Sequence, residues 1–319
     1  MIFDLIKLAR PKQWLKGVFV LIGPAYGAAT GVAVDWRGVA FAFIAFGLAS
    51  SACYVINDIR DAELDRAHPR KKRRPIASGR IAPGTAWIFG GVLLLAASLV
   101  LAARPVFFDH GHPSQNWLWL AVFVALYVLN VNLYSSGVKR MVVLDVVSLA
   151  AGFVLRVLGG CAAAGVEPST WLLNCTLFIS MFLAFGKRLG ERRTMGSAGA
   201  AAVVRSVQTV YTDESLRMFL VVTGVACLVT YAGYVQAQAG LYTPVHSSRA
   251  NPGEWGFNLL WLTMLPATYG LLRCVVQMEN GAYDDPTELA TRDRPFQAAV
   301  VLFGVLTAAA IILGQPAGK

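Results

Sequence analysis

Four side chains that could bind a metal ion lie at helical spacing where an apolar run gives way to a polar segment. They are Asn57, Asp58, Asp61 and Asp65, and because a helix turns by about 100° per residue they share one face with Tyr54. Carboxylates crowded on one face repel one another unless a cation lies among them, and oxygen ligands at this density suit Mg²⁺. The spacing therefore predicts a Mg²⁺ site made by all four, in which the three aspartates also act in catalysis. A solvated helix end with acids paired to neighbouring arginines is the alternative, and the restriction to one face argues against it.

A strongly basic segment, residues 70–80, follows the acidic motif almost directly. Pro75 and Gly79 stop it from continuing as one helix. One interpretation is that its charges orient neighbouring apolar segments in a membrane or contact lipid headgroups. The other is a lid of cations over a polyanionic substrate, because metal-holding carboxylates beside Lys and Arg neutralise leaving groups of the phosphoryl type. Basic and polar residues also border other apolar runs, where both interpretations stay open: Lys12, Gln13, Lys16, Tyr134, Lys139, Lys187 and Arg188.

The elements that must position these residues are membrane spans. Of the 319 residues, 56% are apolar and 14% are charged, whereas a soluble domain carries about 25% charged residues. A span needs about 20 mainly apolar residues. The chain is therefore predicted to be an all-α bundle, and with no separate soluble domain, residues 1–319 form a single integral-membrane domain. Nine transmembrane helices are predicted, the sixth being short and expected to continue beyond its end: 18–34, 38–57, 86–103, 117–135, 141–163, 171–185, 216–238, 256–277 and 296–314.

The distribution of Lys and Arg predicts the orientation of the bundle. With a cytoplasmic N-terminus, the inner segments hold 23 of the 28 basic residues and the outer segments only four. Cytoplasmic loops carry such an excess, so the acidic motif is expected to face the cytoplasm. The net charge of +10 would suggest nucleic acid in a soluble protein. Here membrane orientation and anionic ligands explain it, and no nucleic acid is expected as a partner.

The fifth predicted span carries an unusual polar stripe. Asp145, Ser148, Gly152 and Arg156 are spaced so that they share one helix face. Asp145 and Arg156 are about 16 Å apart along the axis, too far for direct pairing. An intramembrane arginine normally faces a bundle interior or a cavity. Arg156 is therefore predicted to contact either helix carbonyls or a substrate, and both roles stay open.

The pattern Asn57-Asp58-x-x-Asp61-x-x-x-Asp65 after the second of nine spans resembles the first Asp-rich motif of the UbiA superfamily of membrane prenyltransferases. The resemblance covers most of the chain, including an Arg-Pro pair near the N-terminus and the loop 134–139. It implies a UbiA-like bundle whose acidic motif binds Mg²⁺ and a diphosphate at the cytoplasmic face of a bacterial inner membrane.

One departure from that family is informative. Ordinary members carry a second Asp-rich motif after the sixth span, whereas this chain has Gly186-Lys187-Arg188 there. Basic residues in this place weaken a second metal–diphosphate clamp and suit a donor with more phosphate groups. Within the superfamily the chain resembles the branch that transfers 5-phosphoribose from phosphoribosyl pyrophosphate to decaprenyl phosphate, for the synthesis of a cell-wall arabinan donor. The motif Leu289-x-x-Arg-Asp-Arg before the last span is similar to that branch as well.

The resemblance also implies roles for individual residues. Asn57 and Asp61, with Asp58 or Asp65, hold Mg²⁺ on the donor diphosphate. Tyr54 contacts the ribose or the pyrophosphate, Arg74 closes over the leaving group, and the lipid headgroup lies near Lys12 or Gln13. Lys16, Lys139, Lys187 and Arg188 are expected to bind phosphate groups. Tyr134 is a further candidate for substrate contact, as is Arg156 from its position inside the membrane.

Two other functions remain alternatives. A conventional UbiA prenyltransferase would use the same acidic motif to move a prenyl group from its diphosphate to an aromatic acceptor. A transporter would place polar groups near the midplane on broken helices, whereas nearly all ionisable groups here lie at one surface. The sequence leaves a homo-oligomer open.

Overall fold

A computed structural model of the protein describes residues 2–67, 71–108, 114–198, 211–238, 257–282 and 289–314; for 104–108, 114–115, 194–198 and 314 it describes the backbone alone. Within these ranges every regular element is a helix. The chain forms two compact units, Met1–Pro168 and Ser169–Lys319. The single domain expected from the sequence stays a prediction.

Unit 1 contains seven α-helices, connected in part by short 3₁₀ turns at Pro11–Gly17, Lys71–Arg73 and Val138–Arg140. The helices are α1 (Ile2–Ala9), α2 (Val18–Ala29), α3 (Trp36–Arg60), α4 (Ala62–Ala67), α5 (Pro83–Phe108), α6 (Ser114–Ser136) and α7 (Leu144–Ala164). Helix α3 is the centre of the unit, because α5, α6 and α7 all pack against it. Its N-terminus is capped by Asp35, whose carboxylate accepts a hydrogen bond from the Gly38 amide at 2.9 Å.

Unit 2 contains five described helices: α8 (Thr170–Ala198), α9 (Asp213–Ala237), α10 (Met264–Glu279), α11 (Leu289–Arg292) and α12 (Arg294–Gly314), with a 3₁₀ turn at Leu259–Thr263 before α10. Helix α8 packs along α9, and α10 packs along α12. Thr212 and Ser215 form a reciprocal capping box at the start of α9. Asp293 caps α12 by accepting from the Phe296 amide at 2.8 Å, and it also accepts from Arg273 of α10 at 2.8 Å.

Eight helical segments in the described residues are long and apolar enough to cross a membrane: Trp36–Arg60, Pro83–Ala103, Asn116–Ser136, Leu144–Ala164, Thr170–Arg193, Asp213–Ala237, Leu259–Glu279 and Arg294–Leu313. They correspond to predicted spans two to nine, and the sixth continues beyond its predicted end, as expected. Segment 18–34 differs from the prediction because α2 ends at Ala29 after 12 residues, or about 18 Å. Gly31, with φ +81°, turns the chain there.

Small residues let α2 and α7 approach closely. A Cβ on Gly160 would overlap the backbone carbonyl of Val20, and one on Gly23 would overlap the Cys161 sulfur. Lipid tails are as apolar as leucine, so no hydrophobic force draws two helices together in a membrane. Membrane helices associate through close packing instead, which small residues allow. The contact fixes α7, and with it Arg156, relative to α2 and α3.

Candidate functional site

The acidic motif spans the end of α3 and the start of α4. Helix α3 ends at Arg60, and Asp61 caps it in a non-helical conformation with φ −90° and ψ 2°. The shared face predicted for residues 54–65 assumed one continuous helix, and the structure breaks that helix at Asp61. The Asp61 amide still donates to the Asn57 carbonyl at 2.9 Å, and the Asp65 amide donates to the Asp61 carbonyl at 2.8 Å. The chain thus keeps helical spacing across the break, and the polar side chains stay close together.

Two of the aspartates are buried and paired with arginines. Asp58 and Asp65 are only 2% and 3% exposed. Arg74 Nη1 lies 2.6 Å from Asp65 Oδ2 and 3.0 Å from Asp58 Oδ1. Arg10 Nη2 lies 2.6 Å from the same Asp58 oxygen. Buried charges must be paired to be tolerated, so these contacts fix both guanidinium groups beside the motif.

Arg10 lies beside the acidic motif, and the sequence did not indicate it as a site residue. Its backbone lies in the left-handed region, with φ 51° and ψ 58°, which costs a non-glycine residue about 1 kcal/mol. The guanidinium carbon lies 5.1 Å from the centre of the Tyr54 ring, a cation–π contact. Ser51 holds this turn by donating to the Ala9 carbonyl at 2.7 Å. The Arg-Pro pair was the sequence signal for this position. A residue before proline is normally extended, so the left-handed backbone of Arg10 was not expected.

The other two predicted ligands form a second pair. Asn57 Nδ2 donates to Asp61 Oδ2 at 3.1 Å, and Lys139 Nζ lies 2.8 Å from Asp61 Oδ1. Lys139 comes from the 3₁₀ turn after α6, so α3 and α6 meet at this point. Loop 134–139 therefore reaches the acidic motif through Lys139, and phosphate binding by Lys139 stays a prediction.

These residues fit a Mg²⁺ ion that keeps waters and substrate oxygens among its ligands. Mg²⁺ is usually bound by one or two protein carboxylates, and the adjacent amide and carboxylate of Asn57 and Asp61 offer such a pair. In the described ranges no three His, Cys, Asp or Glu side chains gather as a metal-binding group. Asp58 and Asp65 face arginines instead, and direct metal ligation by all four residues stays a prediction.

The remaining predicted site residues lie in both units. Lys12 and Lys16 are exposed on the 3₁₀ turn that follows Arg10, and Gln13 is half-buried there. Tyr134 is half-buried in the last turn of α6. In unit 2, Lys187 is exposed on α8, whereas Arg188 is buried and donates to the Ala184 carbonyl at 3.0 Å. Of the basic segment, Arg70 lies outside the described residues.

Arg156 lies deep in unit 1 and is 5% exposed. Its Nη2 donates to Tyr127 Oη at 2.8 Å and to Ser50 Oγ at 3.0 Å, and its Nη1 donates to the Gly152 carbonyl at 3.4 Å. Ser50 and Tyr127 were not selected from the sequence. The available signal was a hydroxyl on each of two apolar spans at the depth of the intramembrane arginine.

Comparison with known proteins adds family information to this geometry. The model of the UbiA prenyltransferase family matches residues 17–248. Decaprenyl-phosphate phosphoribosyltransferase of Mycolicibacterium smegmatis is 34% identical over 303 residues, covering 93% of this chain and 89% of the relative. The protein of the same description from Mycobacterium tuberculosis is 29% identical, covering 98% and 96%.

Solved structures show the same fold. A UbiA homolog from Archaeoglobus fulgidus bound to DMAPP and Mg²⁺ aligns with a TM-score of 0.64 at 17% identity, over 97% of this chain and 99% of that one. The structure of the same homolog bound to GPP and Mg²⁺ aligns with a TM-score of 0.61.

Proposed function

Because the chain belongs to the UbiA prenyltransferase family, we propose that it is a Mg²⁺-dependent membrane phosphoribosyltransferase. It transfers 5-phosphoribose from phosphoribosyl pyrophosphate to a polyprenyl phosphate such as decaprenyl phosphate, and pyrophosphate leaves. Relatives described as decaprenyl-phosphate phosphoribosyltransferases match over nearly the whole chain and support this donor and acceptor. The lipid product is of the kind that cell-wall arabinan synthesis requires.

The observation that carries the proposal is the interleaving of cations with aspartates in unit 1. Arg10, Arg74 and Lys139 each lie within 3.0 Å of a carboxylate oxygen of the acidic motif. A site with this many fixed donors suits a ligand with several phosphate groups, because charge-assisted hydrogen bonds to phosphate are among the strongest in proteins. A prenyl diphosphate would offer fewer anions to such a set.

In the proposed reaction the acceptor phosphate oxygen attacks C1 of the ribose as pyrophosphate leaves. A phosphate monoester is already ionised near pH 7, so the reaction requires no strong general base. Asn57 and Asp61 would hold Mg²⁺, which when bound neutralises charge on the leaving pyrophosphate. Arg74 and Lys139 orient the donor phosphates, and Asp58 and Asp65 hold the arginines in place. Positioning then supplies much of the rate.

The proposal includes a topology and a location. The chain crosses a bacterial inner membrane nine times, with segment 18–34 as the first crossing and the N-terminus in the cytoplasm. Support comes from the placement of 23 of the 28 basic residues in the inner segments. The acidic motif then faces the cytoplasm, where a water-soluble phosphoribosyl donor is available. Phosphate binding by Lys16, Lys187 and Arg188 is part of the proposal on the strength of sequence alone.

A direct assay of the donor tests the proposal. Purified protein in lipid nanodiscs is incubated with Mg²⁺, phosphoribosyl pyrophosphate and a polyprenyl phosphate, and pyrophosphate release and the lipid product are measured. Parallel reactions replace the substrates with a prenyl diphosphate and an aromatic acid. The expected result is a phosphoribosylated lipid that requires all three components. Prenylation of the aromatic acid without phosphoribosyl transfer would show the conventional family activity instead, and pyrophosphate release of either kind excludes transport as the main activity.

A further inference from the structure

A buried positive charge in unit 1 has no carboxylate partner among the described residues. Arg156 contacts two hydroxyls and one carbonyl, through Tyr127, Ser50 and Gly152. Aromatic rings cover its guanidinium, whose central carbon lies 4.4 Å from the centre of the Tyr127 ring and 5.6 Å from that of Phe153. A charge inside a membrane bundle is costly without an anion, and such residues usually mark a substrate or ion pathway.

The guanidinium also has donor capacity to spare. An arginine carries five N–H donors, and Arg156 uses three of them in hydrogen bonds, one of which is long at 3.4 Å. Ser50 Oγ additionally donates to Tyr127 Oη at 3.0 Å. Both hydroxyls can rotate toward a ligand, because a hydroxyl donates as readily as it accepts. Two N–H groups and two hydroxyls can therefore donate to a ligand, and no carboxylate in the described part of unit 1 accepts from Arg156.

The position of this set relative to the acidic motif suggests its ligand. Ser50, Tyr54 and Asp58 occupy successive turns of one face of α3. Eight residues of helix separate Ser50 from Asp58, which corresponds to about 12 Å. Tyr54, which Arg10 covers, lies between them. A substrate held at the aspartates by one end could therefore reach Arg156 with an anionic group at the other end of a sugar-sized spacer.

We propose that Arg156, with Tyr127 and Ser50, binds a phosphate monoester group of a substrate inside unit 1. The inference rests on the proposed function, in which each substrate carries one such group: the 5-phosphate of the donor and the phosphate of the polyprenyl lipid. A planar guanidinium binds two phosphate oxygens at once, which a lysine cannot reproduce. The site makes the enzyme select a donor or acceptor that carries the phosphate.

Binding of paired probes with and without the phosphate tests the site. Ribose 5-phosphate is compared with ribose, and a polyprenyl phosphate with the matching polyprenol, by calorimetry on nanodisc-embedded protein. In the wild type at least one phosphate-bearing probe is expected to bind more tightly than its partner. In Arg156→Gln that preference is expected to fall by at least about tenfold, equivalent to about 1.4 kcal/mol, for one pair and to stay unchanged for the other. The affected pair identifies the source of the phosphate.

A second variant keeps the test valid if Arg156→Gln does not fold. Tyr127→Phe retains the ring against the guanidinium and removes only the hydroxyl, and it is expected to lower the same preference severalfold while the melting temperature stays near the wild-type value. If neither foldable variant changes the phosphate preference of either pair, or if the wild type shows no preference, Arg156 is structural and the inference is wrong. These are equilibrium measurements, so they remain informative even if no phosphoribosyl transfer is observed. The absence of transfer would refute the proposed function alone.

Discussion

Arg10 contacts Asp58 across 48 residues of sequence, with 2.6 Å between Nη2 and Oδ1. The contact joins the turn before the first 3₁₀ segment to the end of α3. Asp58 is nearly inaccessible to solvent, and its Oδ1 atom contacts Arg74 as well as Arg10. The N-terminal segment is therefore part of the candidate active site.

Replacing Arg10 by Ala is expected to lower both stability and donor affinity. The buried carboxylate of Asp58 keeps Arg74 but loses one of its two cations, a change that costs about 1–3 kcal/mol. The melting temperature and the KM for the phosphoribosyl donor are the measurements. Arg80→Ala is the control, because Arg80 pairs with Asp4 at 3.1 Å while 45% exposed, where a pair contributes about 0–1 kcal/mol. Equal behaviour of the two variants would contradict a role for Arg10.

Arg10→Gly separates the backbone of this residue from its side chain. Both replacements remove the guanidinium, but glycine adopts φ 51° without strain. Arg10→Gly is therefore expected to be more stable than Arg10→Ala, by up to about 1 kcal/mol, while its donor KM is equally raised. A less stable glycine variant would show that the left-handed backbone is not strained.

Asp61→Asn is expected to abolish turnover while the protein stays folded. The carboxylate pairs with Lys139 and lies beside the Asn57 amide, and the substitution keeps its shape but removes its charge. The Mg²⁺-induced rise in melting temperature should disappear together with pyrophosphate release. Glu63→Gln, at an exposed position two residues away, is the matched control and should retain both. Normal activity of Asp61→Asn would overturn the proposed metal site.

The sequence predicted the helical parts of this arrangement well. The apolar lengths located eight spans, and the four-residue spacing of Asn57 and Asp61 placed them together. It could not predict which cations reach the acids, because Arg10 and Lys139 arrive from segments 48 and 78 residues away from their partners. The helix break at Asp61 could not be located either, because the weak helix formers Asn57, Asp58 and Asp61 alternate there with strong ones such as Arg60, Ala62 and Leu64.

The length of α2 shows a different limit of sequence reasoning. Residues 18–34 are apolar enough for a span, but the helix ends at Ala29. The Val32 amide donates to the Gly27 carbonyl at 2.9 Å, which closes the end of the helix. Glycine is common in membrane helices, so Gly31 gave no reason to end the predicted helix. Ser50 was overlooked for a similar reason, because serine hydroxyls in helices often bond to a carbonyl of their own helix. The Tyr127 hydroxyl meets Arg156 across 29 residues of sequence, which no local pattern predicts.

Asp293 should make unit 2 more stable above about pH 4 than below it. The hydrogen bond from Arg273 holds the pKa of this carboxyl below its usual range, and the Phe296 amide acts in the same direction. A lowered pKa in the folded state stabilises the protein above the ordinary value, and the effect is lost as the pH falls through the lowered pKa. Asp293→Asn keeps a good cap but no charge, so its deficit in melting temperature should shrink on acidification. A constant deficit would show that the ion pair contributes nothing.

Lys187→Ala is expected to raise the KM for the phosphoribosyl donor far more than that for the lipid. Lys187 is exposed on α8, so the replacement should leave the melting temperature unchanged. Lys187→Arg retains the charge and should restore most of the donor affinity. If neither KM changes in Lys187→Ala, Lys187 does not bind the donor. The basic residues near the end of α8 then no longer support a donor with more phosphate groups.

Gly160→Ala is expected to destabilise unit 1 by about 1–3 kcal/mol, because the added methyl group would overlap a backbone atom that cannot move aside. That atom is the Val20 carbonyl oxygen, so α2 and α7 must separate to admit the side chain. Gly91→Ala on α5 is the control, since nothing lies within 4 Å of its Cβ position, and alanine there should be neutral or slightly stabilising. Melting temperatures in the same detergent compare the two. Because α7 also carries Arg156, the Gly160 variant should lose the phosphate preference proposed for Arg156 along with its stability, whereas Gly91→Ala should keep both; a Gly160→Ala protein as stable as the wild type would show that α2 and α7 do not pack this closely.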